Sequence, residues 1–282
     1  MLERLLRAVT VYAAVVLFLA TPAAIQAQER PLDQRVIQSG HSLTDGVLAP
    51  LRQMVRQAGN NAVVVDQSTI PGSPMDWRWN NPPGYGQPDA RYDIAAYDTL
   101  VLTERVPLDN TMPFHNSLQQ ALTWFSNAWT NGNDGNGAET ILFASWVSIN
   151  SGPNYENSYN EPEGAIPFRD RLPREMARWN EILDYVNDNR PDGSEPMRMI
   201  PGPELMAAIY DEIAAGTAPG LTDIADLFAD DIHLNDLGNY YIALAHFAVI
   251  YGRDPRGMQN FGGATPEQAR WMQDLVWRVL SE

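Results

Sequence analysis

Apolar positions along the chain follow two alternating periods. Arg35-Val36-Ile37-Gln38 reads as a short strand running straight into Ser39-Gly40-His41-Ser42. From Asp45 to Ala58, Val47, Leu48, Leu51, Met54 and Val55 recur at helical spacing, which predicts one apolar helix face. Continuous apolar runs at Ala62 to Val65, Thr99 to Leu102 and Ile141 to Val147 carry the mark of strands buried on both faces. Helical patterns cover His115 to Trp129, Arg171 to Asn187 and, after a weak strand at Met197 to Ile200, Pro203 to Ala215. The last helix, Thr265 to Leu280, has a readable start: Thr265 as N-cap, Pro266 in the first turn and Gln268 closing a capping box. Strand and helix alternate without a repeat or linker. This predicts one α/β domain, a three-layer α/β/α sandwich with a mainly parallel sheet. Three long loops interrupt it: Gln67 to Asp93, Asn131 to Gly137 and Asn150 to Phe168. Loops of such length in a compact domain usually serve function or move.

Composition narrows the partners. The 282 residues hold 35 acidic and 19 basic side chains, every basic one an arginine, for a net charge of −16. Such a chain offers no basic face to a nucleic-acid backbone or an anionic membrane. There is no cysteine, hence no disulfide, thiolate nucleophile or Cys-ligated metal. Four dispersed histidines give no ligand cluster of recognisable spacing, so no metal or other cofactor is expected. At the start, Arg4 and Arg7 precede an apolar run from Ala8 to Ala20, then Thr21-Pro22 and small residues ending at Ala27. That layout predicts a signal peptide over 1–27, cut near Ala27-Gln28, and an exported protein, periplasmic or secreted, comprising 28–282. The alternative is an uncleaved N-terminal anchor, for which the apolar run falls short of the roughly 20 residues of a comfortable span.

The histidines bound the chemistry. His246 lies in an apolar helix and reads as core; His115 reads as a capping or surface residue. His41 is a poor base for Ser42, because adjacent residues on a strand-to-helix turn rarely point the same way. His233 follows Asp230 by three residues in Asp230-Asp231-Ile232-His233. A carboxylate at that spacing can fold back to accept the Nδ1–H, leaving Nε2 free as a base. Ser42 stands between a strand and a helix, at the end of the sheet where open α/β folds place their sites and where helix N–H groups meet an oxyanion. Taken alone, Ser42 reads as readily as a helix N-cap.

Gly-x-Ser-Leu after the first strand, together with Asp-x-x-His near the chain's end, resembles the SGNH (GDSL-type) hydrolase family from about Arg35 to Tyr251. The resemblance implies a flavodoxin-like fold and a serine ester hydrolase. Its nucleophile would be Ser42, its general base His233 and its orienting acid Asp230; Asp231 has the wrong spacing. The family's oxyanion hole uses the serine N–H, a glycine after the second strand and an asparagine after the third. Gly72 fits the glycine. The third strand instead ends Val101-Leu102-Thr103-Glu104-Arg105, and Gly132-Asn133-Asp134 falls at the opposite end of the sheet, so Asn150, after the fourth strand, is the substitute donor. Glu104 and Arg105 are expected either to shape the substrate pocket or to form a structural ion pair. Trp77, Trp79, Trp146, Tyr155 and Tyr159 suit stacking on sugar rings, or pack their loops down. The expected substrate is an acyl, most simply acetyl, ester on a carbohydrate; a lipid or simple short-chain ester is the alternative. A polysaccharide O-acetyltransferase with the same triad and a non-catalytic carbohydrate-binding protein are the competing functions. The oligomeric state is not legible.

Overall fold

The apolar runs form a parallel sheet of five strands in the order β2-β1-β3-β4-β5. These are β1 (Val36–Gly40), β2 (Val65–Thr69), β3 (Thr99–Leu102), β4 (Glu139–Ala144) and β5 (Arg198–Pro201). The computed structural model describes residues 29–157 and 160–281. The signal-peptide segment, its cleavage point and Tyr159 lie outside the described residues.

Successive residues of each strand face opposite sides. Val36, Val65, Val101, Ile141, Phe143 and Ile200 enter one core, shared with α1 (Ser42–Gln57), α6 (Gly202–Ala214), α7 (Asp236–Tyr251) and α8 (Pro266–Ser281). Ile37, Leu100, Leu102 and Leu142 enter the other, under α4 (Ser117–Gly135) and much of α5 (Phe168–Asn189). Two short helices, α2 (Met75–Asn80) and α3 (Met112–His115), lie on the connections before and after β3. This is the expected α/β fold. The capping box of α8 is present as read: the Thr265 N–H donates to Gln268 Oε1 at 3.0 Å and the Gln268 N–H to Thr265 Oγ1 at 3.2 Å.

Two strands sit off their expected positions. β2 starts at Val65, where the apolar run ends, because pairing with β1 from Val36↔Val65 to Gly40↔Thr69 sets its register. As an edge strand it has only one neighbour in the sheet, and Asp66 and Gln67 stay half-buried. β4 stops at Ala144, and Ser145 to Ser148 continue, still buried, beyond the sheet. The regular part of α4 ends where expected, since Gly132, Asn133 and Asp134 leave helical geometry. Asn133 accepts from Arg35 and bonds to Tyr97 O, placing it at the amino end of β1 and β3.

The topology fixes where a site can form. From β1 the chain moves to β2 on one side and later returns to β3 on the other. At such a reversal the connections leave on opposite faces and open a crevice at the carboxyl ends of the two central strands. Ser42 stands there.

Candidate active site

Gly40 closes β1, and a Cβ built on it would lie 2.1 Å from Thr44 Oγ1, so only glycine lets the chain turn this tightly into α1. His41 is the N-cap. Its Nδ1 accepts the Leu43 N–H at 3.4 Å while Nε2–H donates to the Glu104 carbonyl at 2.9 Å. Burial, assisted by the Arg78 charge, lowers the His41 pKa to about 3. A neutral imidazole thus caps the helix, and Ser42 follows as the first helical residue with its hydroxyl uncommitted to capping.

That hydroxyl donates to His233 Nε2 at 2.8 Å. On the far side of the ring, His233 Nδ1–H donates to Asp230 Oδ2 at 2.7 Å. Asp230 Oδ1 also accepts the backbone N–H of Ile232 at 2.9 Å and of His233 at 2.7 Å. These bonds, the His233 N–H foremost, hold the Asp230 carboxyl down at about 2. The turn is closed at its base by the Ala229 N–H on the His233 carbonyl and by the Phe228↔Leu234 bridge. Asp231 points elsewhere, its Oδ2 accepting from Ser148 Oγ at 3.0 Å. The dyad is open to water, with 41% of the His233 and 53% of the Asp230 side chain exposed.

Around Ser42 the strand ends are braced by buried charge. Arg78, on α2, donates to the Ser73 and Thr103 carbonyls and to Ser39 Oγ. Burial lowers its pKa to about 10, against the pull of Glu104. Glu104 Oε1 accepts the Met75 N–H at 2.9 Å and the Arg105 N–H at 2.7 Å, and burial raises its pKa. Glu104 is therefore a framework residue with no surface for a substrate, correcting its expected place in the pocket. Trp146 is corrected on the same ground. It is fully buried, edge-on to Phe143 and Phe228, and its Nε1–H donates to the Ile232 carbonyl at 2.9 Å.

The other expected residues lie on the connections between strands. Arg105 is half-buried beyond β3, its Nε–H on Thr111 Oγ1 at 3.3 Å. Trp77 is 55% exposed, whereas Trp79 is half-buried against the edge of Trp124. Tyr155 packs against Gly164. Gly72, exposed at φ +65°, sits in the turn that the Ile70 N–H ties to the Gly40 carbonyl. Asn150 is exposed on the loop after β4, its N–H on Ser148 Oγ. Of the remaining histidines, His115 pairs with Asp76 at 3.1 Å and His246 is buried core, its Nδ1–H on the Ile242 carbonyl. No group of three or more metal-binding side chains gathers among the described residues, and no helix there is long and apolar enough to cross a membrane.

No family model and no curated protein matches the chain. Solved structures do. A DUF4886 family protein from Bacteroides uniformis ATCC 8492 superposes with a TM-score of 0.59 at 13% identity, covering 88% of this chain and 94% of its own. An acetyl xylan esterase, AlAXEase, gives 0.49 at 15% identity, over 77% of this chain and 99% of its own. At these identities the likeness is one of fold.

Proposed function

We propose that the chain is an exported serine ester hydrolase of the SGNH type that removes acyl groups, most simply acetyl, from a carbohydrate. The observation that carries this reading is the continuous relay from Ser42 Oγ through both nitrogens of His233 to Asp230, with bonds of 2.8 and 2.7 Å. Ser42 Oγ attacks the ester carbonyl as its proton passes to Nε2. The resulting oxyanion meets the N–H groups of Ser42 and Gly72, neither of which has a hydrogen-bond partner among the described residues, with Asn150 as third donor. The intermediate collapses by breaking the bond to the alcohol oxygen, which leaves with the proton from Nε2. Water, deprotonated by His233, then attacks the acyl-serine and releases the acid.

The openness of the dyad favours water as acceptor over transfer to a second sugar, which needs water kept out. Trp77, 55% exposed, and half-buried Arg105 are the side chains we assign to a sugar substrate. The test is intact-mass spectrometry after treatment with a phosphonofluoridate ester, comparing wild type with Ser42→Ala. One adduct, lost in the variant, is expected. A folded wild type that takes no adduct would move the non-catalytic binding-protein reading to first place.

A further inference from the structure

The Asp230–His233 pair is closed within its own turn, so its internal hydrogen bonds orient the ring but do not by themselves bring that ring to Ser42, which belongs to a distant element. Something must dock the turn against the sheet. Buried Trp146, just past the end of β4, donates from Nε1 to the Ile232 carbonyl at 2.9 Å. The Ile149 N–H donates to the Asp231 carbonyl at 2.8 Å, and Ser148 Oγ to Asp231 Oδ2 at 3.0 Å. Ser151 Oγ fixes the Ser148 carbonyl at 2.6 Å and in turn accepts from buried Arg171 at 2.8 Å. The segment after β4 is thus held to α5 on one side and grips successive residues of the histidine turn on the other.

We propose that Trp146, Ser148 and Asp231 form a latch that sets His233 Nε2 in register with Ser42. They are positioning residues, reaching the chemistry only through His233. The proposal rests on the esterase reading above. It gives Asp231, left without a role by its spacing to the histidine, a specific function. The carboxylates on either side of the turn divide the work: Asp230 orients the ring and Asp231 anchors the turn.

The geometry separates the two duties. Loosening the latch leaves Asp230 on Nδ1, so the ring keeps its tautomer. What changes is the fraction of time Nε2 faces Ser42. Small displacements of a reacting group can cost up to ~10²-fold in rate.

The test uses Trp146→Phe, which keeps an aromatic ring but removes the indole donor, and Ser148→Ala, which removes the hydroxyl that donates to Asp231 and accepts the Asn150 N–H. Rates are referred to folded sites counted by phosphonate labelling. The expected result is kcat lower by about tenfold or more in Trp146→Phe and by a few-fold in Ser148→Ala. KM and the shape of the pH–rate profile stay unchanged. Hydrogen exchange of the Ile149 and Ala229 amides should quicken in both variants. Should Trp146→Phe fail to fold, Ser148→Ala carries the test with Asp231→Ala beside it, which breaks the same bond to Asp231 and leaves the Asn150 N–H on Ser148 Oγ.

Unchanged kcat per labelled site, with only the melting temperature lowered, would reduce Trp146 to a packing residue and overturn the latch. A displaced pH–rate profile would overturn it too, since the dyad itself would then have been disturbed. Failure of wild type to label at Ser42 would sink the underlying esterase reading instead, and the exchange measurement would still decide whether these bonds hold the turn.

Discussion

Replacing Asp230 by asparagine changes a single atom, and the site geometry says what that atom does. Asparagine Oδ1 can keep both backbone donors, Ile232 N–H and His233 N–H, so the turn should persist. Its amide nitrogen, however, takes the place of Oδ2, 2.7 Å from His233 Nδ1. An amide N–H donor facing Nδ1 selects the tautomer with its proton on Nε2. That nitrogen then faces Ser42 Oγ as a donor and cannot accept the proton the attack must release. Loss of the base in this way should lower kcat by ~10³–10⁴-fold. Stability should change little. The side chain is half exposed, so weakening its bonds to neutral donors should cost less than ~1.5 kcal/mol, a fall in Tm of a few degrees at this chain length. Initial rates on 4-nitrophenyl acetate, thermal melts and phosphonate labelling would check all parts. Retention of more than about a tenth of wild-type kcat, in a variant that still melts cooperatively, would refute Asp230 as the orienting acid.

Acid should destabilise the fold before it reaches Asp230. His41 and His246 are buried neutral, at about 3 and about 4, against roughly 6.5 unfolded. Below pH ~6.5 the unfolded chain takes up protons that the native one refuses. Stability should therefore fall by about 1.4 kcal/mol per pH unit for each histidine down toward pH 4, measurable by denaturant titration at pH 7, 6 and 5. Glu175 works in the opposite direction, because burial raises its pKa to about 8 while its Oε1 accepts the Leu108 N–H. Glu175→Gln keeps that acceptor without a charge, so its stability relative to wild type should grow as pH rises from ~4.5 to 8; a difference that does not change with pH would contradict this. Gly40→Ala should lower stability by about 1–3 kcal/mol, since the new methyl meets the buried Thr44 side chain on one side and Thr103 Cγ2 at 3.2 Å on the other.

The parts of the site that are local in sequence were legible before any fold was known. The strand-to-helix junction at Ser42 shows as a change of hydrophobic period, and the Asp230–His233 contact spans one turn. Contacts that depend on the whole topology were not. Glu104 reads in sequence as a pocket residue or half of an ion pair, but it stands two residues past a buried strand that ends before the chain reaches solvent. Arg78 lies among Trp77, Trp79 and prolines in a stretch that reads as loop, and its burial follows from the carbonyls left unpaired where β2 and β3 stop. Trp146 carried a usable signal: it continues the apolar run from Ile141, which argues for the core rather than a sugar-stacking face. His41 shows the reverse case: its service as N-cap depends on the Glu104 carbonyl, far away in sequence.

The oxyanion hole turns on what the end of β3 is used for. Its polar groups are consumed in bracing: the Thr103 carbonyl by Arg78, the Glu104 carbonyl by His41, and Glu104 Oε1 by the N–H groups of Met75 and Arg105. These carbonyl and carboxylate oxygens are acceptors, and none of them can serve an oxyanion. The third donor proposed above is Asn150, on the loop that leaves β4, exposed and with no side-chain hydrogen bond among the described residues. If that amide completes the hole, Asn150→Ala should lower kcat by ~10²-fold with KM and the pH profile unchanged. The loss should be larger for alkyl acetates than for 4-nitrophenyl acetate, whose better leaving group lessens the demand on the intermediate. A loss below about threefold on both esters would leave a hole of two backbone donors, with the cost of the missing third built into the rate.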